Sequence, residues 1–125
     1  MLISKSSNNR NYVDNLMNQY FKEELNRHEA GWIRYLQDHR DLLVKNSEWV
    51  PVSRETMNVY KYRPRKFLAS QNRSDELELA FMITNRFYTY MDFNFEVEGV
   101  YIPDNRYVSE LRQMYLTIAR QLAKL

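Results

Sequence analysis

Two short β-like runs, each followed by a proline, set the frame of this chain. The first is Val59-Tyr60-Lys61-Tyr62, ahead of Arg63-Pro64; the second is Val100-Tyr101-Ile102, closed by Pro103. Proline cannot donate to a ladder, so it marks strand ends and edges. Between the runs lie two helical stretches, "PRKFLASQN" and "ELELAFMITN". Pro64 suits a first helical turn, where its missing N–H costs nothing. Asp75 and Glu76 complement the dipole at the start of the second helix. Leu77, Phe81 and Ile83 or Thr84 give that helix its apolar face. A strand pair alone is marginal in water. Two helices on one of its faces give a core of Val59, Leu68, Leu77, Phe81, Val100 and Ile102. Just ahead of the second run, "YTYMDFNFEV" alternates, and Phe93, Phe95 and Val97 fall on one strand face, with Gly99 allowing a turn or bulge.

Helical patterns flank this centre. Tyr12, Val13, Leu16, Met17, Tyr20, Phe21 and Leu25 recur at three- and four-residue steps, and Trp32, Leu36 and Leu43 continue the face. Gly31 interrupts the pattern, either as a kink or as the border of a helical hairpin, and Asn46, Ser47 and Pro51 end it. At the other end Val108, Leu111, Tyr115, Ile118 and Leu122 form one helical stripe, with Asp104 or Asn105 as its cap. The expected fold class is α+β: a small two-stranded βααβ module over 48–105, a helical N-terminal arm over 1–47 and a C-terminal helix over 106–125.

Composition removes several function classes. The chain has no cysteine, so disulfides, thiolate zinc sites and cysteine nucleophiles are absent. Its two glycines, Gly31 and Gly99, leave no phosphate-cradling loop. A net charge of +2, from 18 basic and 16 acidic residues, gives no strong nucleic-acid or membrane signal. No run reaches the roughly 18 apolar residues of a membrane span. The opening "MLISKSSNNRN" lacks the apolar core of a signal peptide. Ten tyrosines supply amphipathic side chains suited to half-buried edges and contact surfaces.

Catalytic constellations are missing. His28 and His39 are eleven residues apart, and "HEAGW" lacks the second histidine of a helical zinc site. Carboxylates pair at Glu23/Glu24, Asp75/Glu76 and Glu96/Glu98; of these, Glu96 and Glu98 share a strand face at a spacing that glycosidase chemistry could use, but an exposed strand face produces the same pattern. Ser53 and Ser109 stand in no nucleophile-elbow motif. The expectation is a protein that is not an enzyme and binds no cofactor or metal. Lys61, Arg63, Arg65 and Lys66 form a basic patch interleaved with Tyr60 and Tyr62, a pattern compatible with single-stranded nucleic acid, a solvated strand edge or an acidic partner.

Residues 57–104 resemble a LysM-like module, most closely the variant in baseplate wedge proteins of contractile-tailed bacteriophages. The resemblance rests on "YKYRPRKFLA", on the helix "ELELAFMITN" ending in Asn85, and on "EGVYIPD", with Arg63-Pro64 and Gly99 to Pro103 at matching places. The "GDTL" turn of peptidoglycan-binding members is absent, and "SQNRSDE" replaces the usual tyrosine-glycine between the helices. The resemblance implies a structural virion protein, a tail or baseplate component assembled in the host cytoplasm, acting as a packing adaptor among other virion proteins. Tyr12, Leu16, Tyr20, Trp32 and Leu36 are the expected partner interface, since aromatic anchors carry most association energy. The alternative is a small phage-type intracellular binding protein or inhibitor using the basic-aromatic patch, for which nucleic acid is disfavoured by the near-neutral charge.

Overall fold

The computed structural model describes residues 30–123. The chain divides into two compact units, Met1–Trp32 and Ile33–Leu125. Of the first unit, only residues 30–32 are described; they are helical, and Trp32 is buried. Most of the expected N-terminal arm therefore lies outside the described residues. Tyr12, Leu16 and Tyr20, His28 and the Glu23/Glu24 pair lie there too.

The described chain mixes helices with one two-stranded antiparallel sheet, an α+β arrangement. Helix α1 covers residues 30–38, and α2 covers Arg40–Lys45. They are separated at His39, whose Nδ1 stands 2.7 Å from the Tyr35 carbonyl. Strand β1 is Ser47–Pro51. Helices α3 (Arg54–Tyr60), α4 (Pro64–Ser70) and α5 (Glu78–Thr84) follow, with a 3-10 turn at Asp75–Leu77 leading into α5. A second 3-10 turn at Tyr90–Asp92 precedes β2, Gly99–Pro103, and α6 runs over Asn105–Ala123.

The sheet registers Trp49 against Tyr101 and Val50 against Val100. The Val52 N–H donates to the Glu98 carbonyl (3.0 Å), and the Asp104 N–H donates to the Asn46 carbonyl (2.7 Å). Antiparallel pairs alternate between bonded and non-bonded positions. Pro51 and Pro103 thus occupy non-bonded positions, where their missing N–H breaks no ladder bond. Val100 and Ile102 point into the core, fully buried, while Trp49 and Tyr101 share the opposite face.

The first strand is not where the sequence pattern put it. Residues 59 and 60 belong to α3, and the partner of β2 lies earlier, in "SEWVP". The Ser53 hydroxyl caps α3 by accepting the Thr56 N–H at 3.1 Å, and Glu55 sits in the first turn. Met57 and Tyr60, three apart, face inward; Met57 is buried and the Tyr60 ring stands edge-on 6.0 Å from Phe67. Four alternating residues could not outweigh this cap and spacing. Val59 consequently leaves the core and is exposed.

The alternation over residues 88–97 also fails to form a strand. Asp92 Oδ2 accepts the N–H groups of Tyr88 (2.7 Å) and Thr89 (3.0 Å), and Asn94 Oδ1 accepts that of Glu96 (2.8 Å). These local bonds satisfy backbone donors that a ladder would otherwise take. Phe93 instead enters the core, fully buried, with ring centroids 5.3 Å from Phe67, 5.8 Å from Phe87 and 6.3 Å from Phe81. Burying such a ring contributes about 1.5–3 kcal/mol. Leu68, Leu77, Phe81, Val100 and Ile102 are core residues as expected, joined by Leu36, Leu43, Met57 and Phe67.

Among the described residues, three that are not glycine take left-handed backbone: Tyr62 (φ 65°), Asn72 (φ 60°) and Arg86 (φ 57°). Asn72 and Arg86 end α4 and α5 in the same way. The Arg73 N–H reaches the Leu68 carbonyl and the Phe87 N–H reaches that of Met82, closing each last turn. Gly99 itself has no positive φ, so the turn or bulge expected there is absent. At the C-terminal side, Asp104 caps α6, accepting the Tyr107 N–H at 3.0 Å. Val108 and Leu111 are buried, whereas Met114 and Ile118 are exposed.

Candidate functional site

The outer face of the sheet carries one exposed tryptophan. Trp49 is 54% exposed, and its ring meets Tyr101 edge-on at 5.0 Å. A Cβ on Gly99 would collide with Trp49 Cζ2 and stand 2.8 Å from Cε2 and 2.9 Å from Cη2. The glycine is there for this close approach. Beneath it, α5 braces β2 directly. Asn85 Nδ2 donates to the Tyr101 carbonyl and the Tyr101 N–H donates to Asn85 Oδ1, both at 2.8 Å. An Arg73–Glu48 ion pair at 2.9 Å ties the end of α4 to β1. The indole sits on a braced strand pair, so a partner would immobilise little extra on contact.

The basic patch is partly engaged within its own chain. Lys61 Nζ lies 5.1 Å from the Tyr62 ring centroid and 5.2 Å from that of Phe95, and Arg54 covers the same Phe95 ring at 4.8 Å. Arg65 binds Glu78 Oε1 through Nη2 (2.9 Å) and Nε (3.3 Å). Hydrogen bonding to Glu78, and then its charge, raises the Arg65 pKa. The same carboxylate raises the Tyr90 phenol above its ordinary value, first by hydrogen bonding and then by charge. Arg63 and Lys66 remain exposed. Tyr62 holds the turn together in its left-handed conformation. Its N–H donates to the Phe93 carbonyl (2.9 Å), and the Arg63 N–H closes onto Tyr60 (2.8 Å). The four basic residues therefore do not form one free cationic surface.

Of the expected partner interface, the structure describes Trp32 and Leu36. Leu36 is 0% exposed and Trp32 is 7% exposed. Each is buried rather than presented on the surface. The surface that sequence reasoning passed over is Trp49. Its signal was available in "SEWVP", where an aromatic and a β-branched residue sit between two turn-prone ends.

Among the described residues, no three His, Cys, Asp or Glu side chains gather as metal ligands, and no helix is long and apolar enough to cross a membrane. Glu96 and Glu98 are both exposed, outside any strand. Comparison with protein-family models, curated proteins and solved structures finds no match.

Proposed function

We propose that this chain is a non-enzymatic assembly protein, a structural component of a contractile-tailed phage particle in its tail or baseplate. Its central unit would act as a LysM-like packing adaptor, and its partners would be other virion proteins. The observation that carries the reading is Trp49, a large aromatic left half exposed while packed against Gly99 and Tyr101. Tryptophan is among the side chains that most often anchor protein interfaces. Two of the marks on which the resemblance rests support the LysM-like element of the reading, since Asn85 ends α5 and Ile102-Pro103 ends the strand that Asn85 braces; against it stands the third mark, because the run opening "YKYRPRKFLA" lies in and after α3 and three helices, not two, separate the strands. The exposed Met114 and Ile118 on α6 add apolar surface to a chain of modest size.

Mass spectrometry of purified particles from the phage that encodes the chain tests the proposal. The expected result is the chain at fixed stoichiometry, lost from particles when Trp49 is replaced by alanine. A chain recovered only as a free monomer, absent from particles, overturns it.

The second reading, a small binding protein or inhibitor working through the basic patch on nucleic acid, draws on exposed Arg63 and Lys66. The engagement of Lys61 and Arg65 within the chain weighs against it. Salt separates the two, since phosphate contacts weaken steeply with ionic strength and apolar docking does not.

A further inference from the structure

A groove of about 250 Å³ lies between α1, α2 and the end of α5, lined by Gln37, Arg40, Met82, Ile83, Arg86, Phe87 and Tyr88. Met82, Ile83 and Phe87 give it an apolar floor, and Arg40 and Arg86 are among its lining. Neither is paired with a carboxylate. Arg40 Nη2 donates to the Thr84 carbonyl at 2.7 Å, while Arg40 Nε is buried without an acceptor. Arg86 is exposed, and its guanidinium makes no hydrogen bond or ion pair among the described residues. Tyr88, at the rim, is 80% exposed.

Arg86 also occupies the left-handed position that closes α5, at φ 57°. A non-glycine residue there costs about 1–2 kcal/mol, and glycine would remove that cost.

We infer that this groove receives an acidic, apolar segment of a neighbouring polypeptide, with a carboxylate on the Arg40–Arg86 pair and an aliphatic or aromatic side chain on the Met82–Ile83–Phe87 floor. Charge complementarity selects an anion, because two uncompensated guanidiniums beside an apolar wall favour one. The apolar floor selects against a bare phosphate, which would leave that floor wet. The inference rests on the assembly reading in one respect, that the occupant is a polypeptide.

Amide NMR titration of the full chain with the blocked peptide acetyl-Glu-Leu-Phe-Glu-amide tests it. Shifts are expected at Gln37, Ile83, Arg86, Phe87 and Tyr88. Binding is expected to fall about tenfold or more, the equivalent of 1.4 kcal/mol, for the acetyl-Gln-Leu-Phe-Gln-amide match and for Arg86→Gly. Because glycine fits the left-handed backbone, Arg86→Gly should melt no lower than the parent, which separates lost binding from lost folding. Equal binding of the glutamine peptide, unchanged binding by Arg86→Gly, shifts elsewhere, or the same shifts from acetate or inorganic phosphate alone would each overturn the site. Particle incorporation keeps the two claims apart. A chain that enters particles but binds no acidic peptide sinks this inference and leaves the assembly reading standing. A chain that binds the peptide here but stays out of particles supports the site and sinks the assembly reading.

Discussion

Asn85 and Tyr101 are joined by two hydrogen bonds of 2.8 Å, the side-chain amide of one matching the backbone N–H and C=O of the other. An asparagine at the end of α5 thus does for β2 what a third strand would do. It also donates to the Phe81 carbonyl at 2.8 Å, so one side chain satisfies the end of the helix and the edge of the sheet together. Asn85→Ala should lower stability by roughly 2–3 kcal/mol, since part-buried backbone groups lose their partners. Urea denaturation measures the loss. Asn85→Asp, which keeps the acceptor and removes the donor, should fall short of folding normally at neutral pH and recover partly in acid.

Trp49 and Gly99 give a second prediction. Adding a methyl group at Gly99 leaves no room for the indole where it lies. The ring is exposed enough to swing away, so Gly99→Ala should cost only about 1 kcal/mol, the low end of overpacking effects. A red shift in tryptophan emission should accompany it. In a Trp49→Ala background the same change should be near neutral, and a stability cycle over the four proteins measures that coupling.

The fully buried Phe93 plugs the ring cluster formed with Phe67, Phe81 and Phe87. Phe93→Ala should destabilise by about 3–5 kcal/mol, the usual range for a lost core ring. Hydrogen exchange should show the loop over residues 87–98 losing protection first, since Phe93 is its deepest anchor. Tyr88→Ala, at the exposed tip of the same loop, should leave stability unchanged.

The pairing of Tyr90 with Glu78 predicts a pH dependence in the alkaline range. The folded phenol has its pKa raised, so the fold holds that proton more tightly than the unfolded chain. Its contribution is complete below the ordinary tyrosine value of about 10 and is lost as pH rises through the folded value. Tyr90→Phe should flatten the alkaline stability loss. Glu78→Gln should return the Tyr90 phenol towards its ordinary value, as read by ultraviolet difference titration at high pH. Both effects should be small, because Tyr90 is half exposed.

The sequence made β2, the start of α4 and α6 legible because each carries a local stop or start that tertiary context did not override. Pro103 ends β2, Pro64 opens α4, and Asp104 caps α6. It misplaced β1 because two segments competed for the same partner. "VYKY" alternates over four residues, whereas "SEWVP" lies beside a helix end and reads as a turn. Ser53 decides between them by capping α3, an interaction with Thr56 that a strand reading ignores. The aromatic alternation of residues 88–97 misled for a related reason. Asp92 and Asn94 consume backbone donors locally, and no pattern of ring spacing reports that.

The candidate site was less legible than the fold. Lys61 and Arg65 read as free cations until Phe95 and Glu78, distant along the chain, are brought beside them. Arg40 and Arg86 attract no notice in the sequence, being 46 residues apart, one at the start of α2 and the other just past the end of α5. Only the packing of α2 against the end of α5 puts both on one groove.

One connection bears on how this molecule would carry load. Between the last residue of β2, Pro103, and the first of α6, Asn105, stands Asp104 alone. Its N–H is bonded to Asn46 and its carboxylate to Tyr107, so the joint is tied on both sides. A pull on the outer half of α6 would reach the strand pair as torque rather than be absorbed by a yielding linker. In such a lever, the far end of α6 is the handle and the Asn46–Asp104 bond the fulcrum.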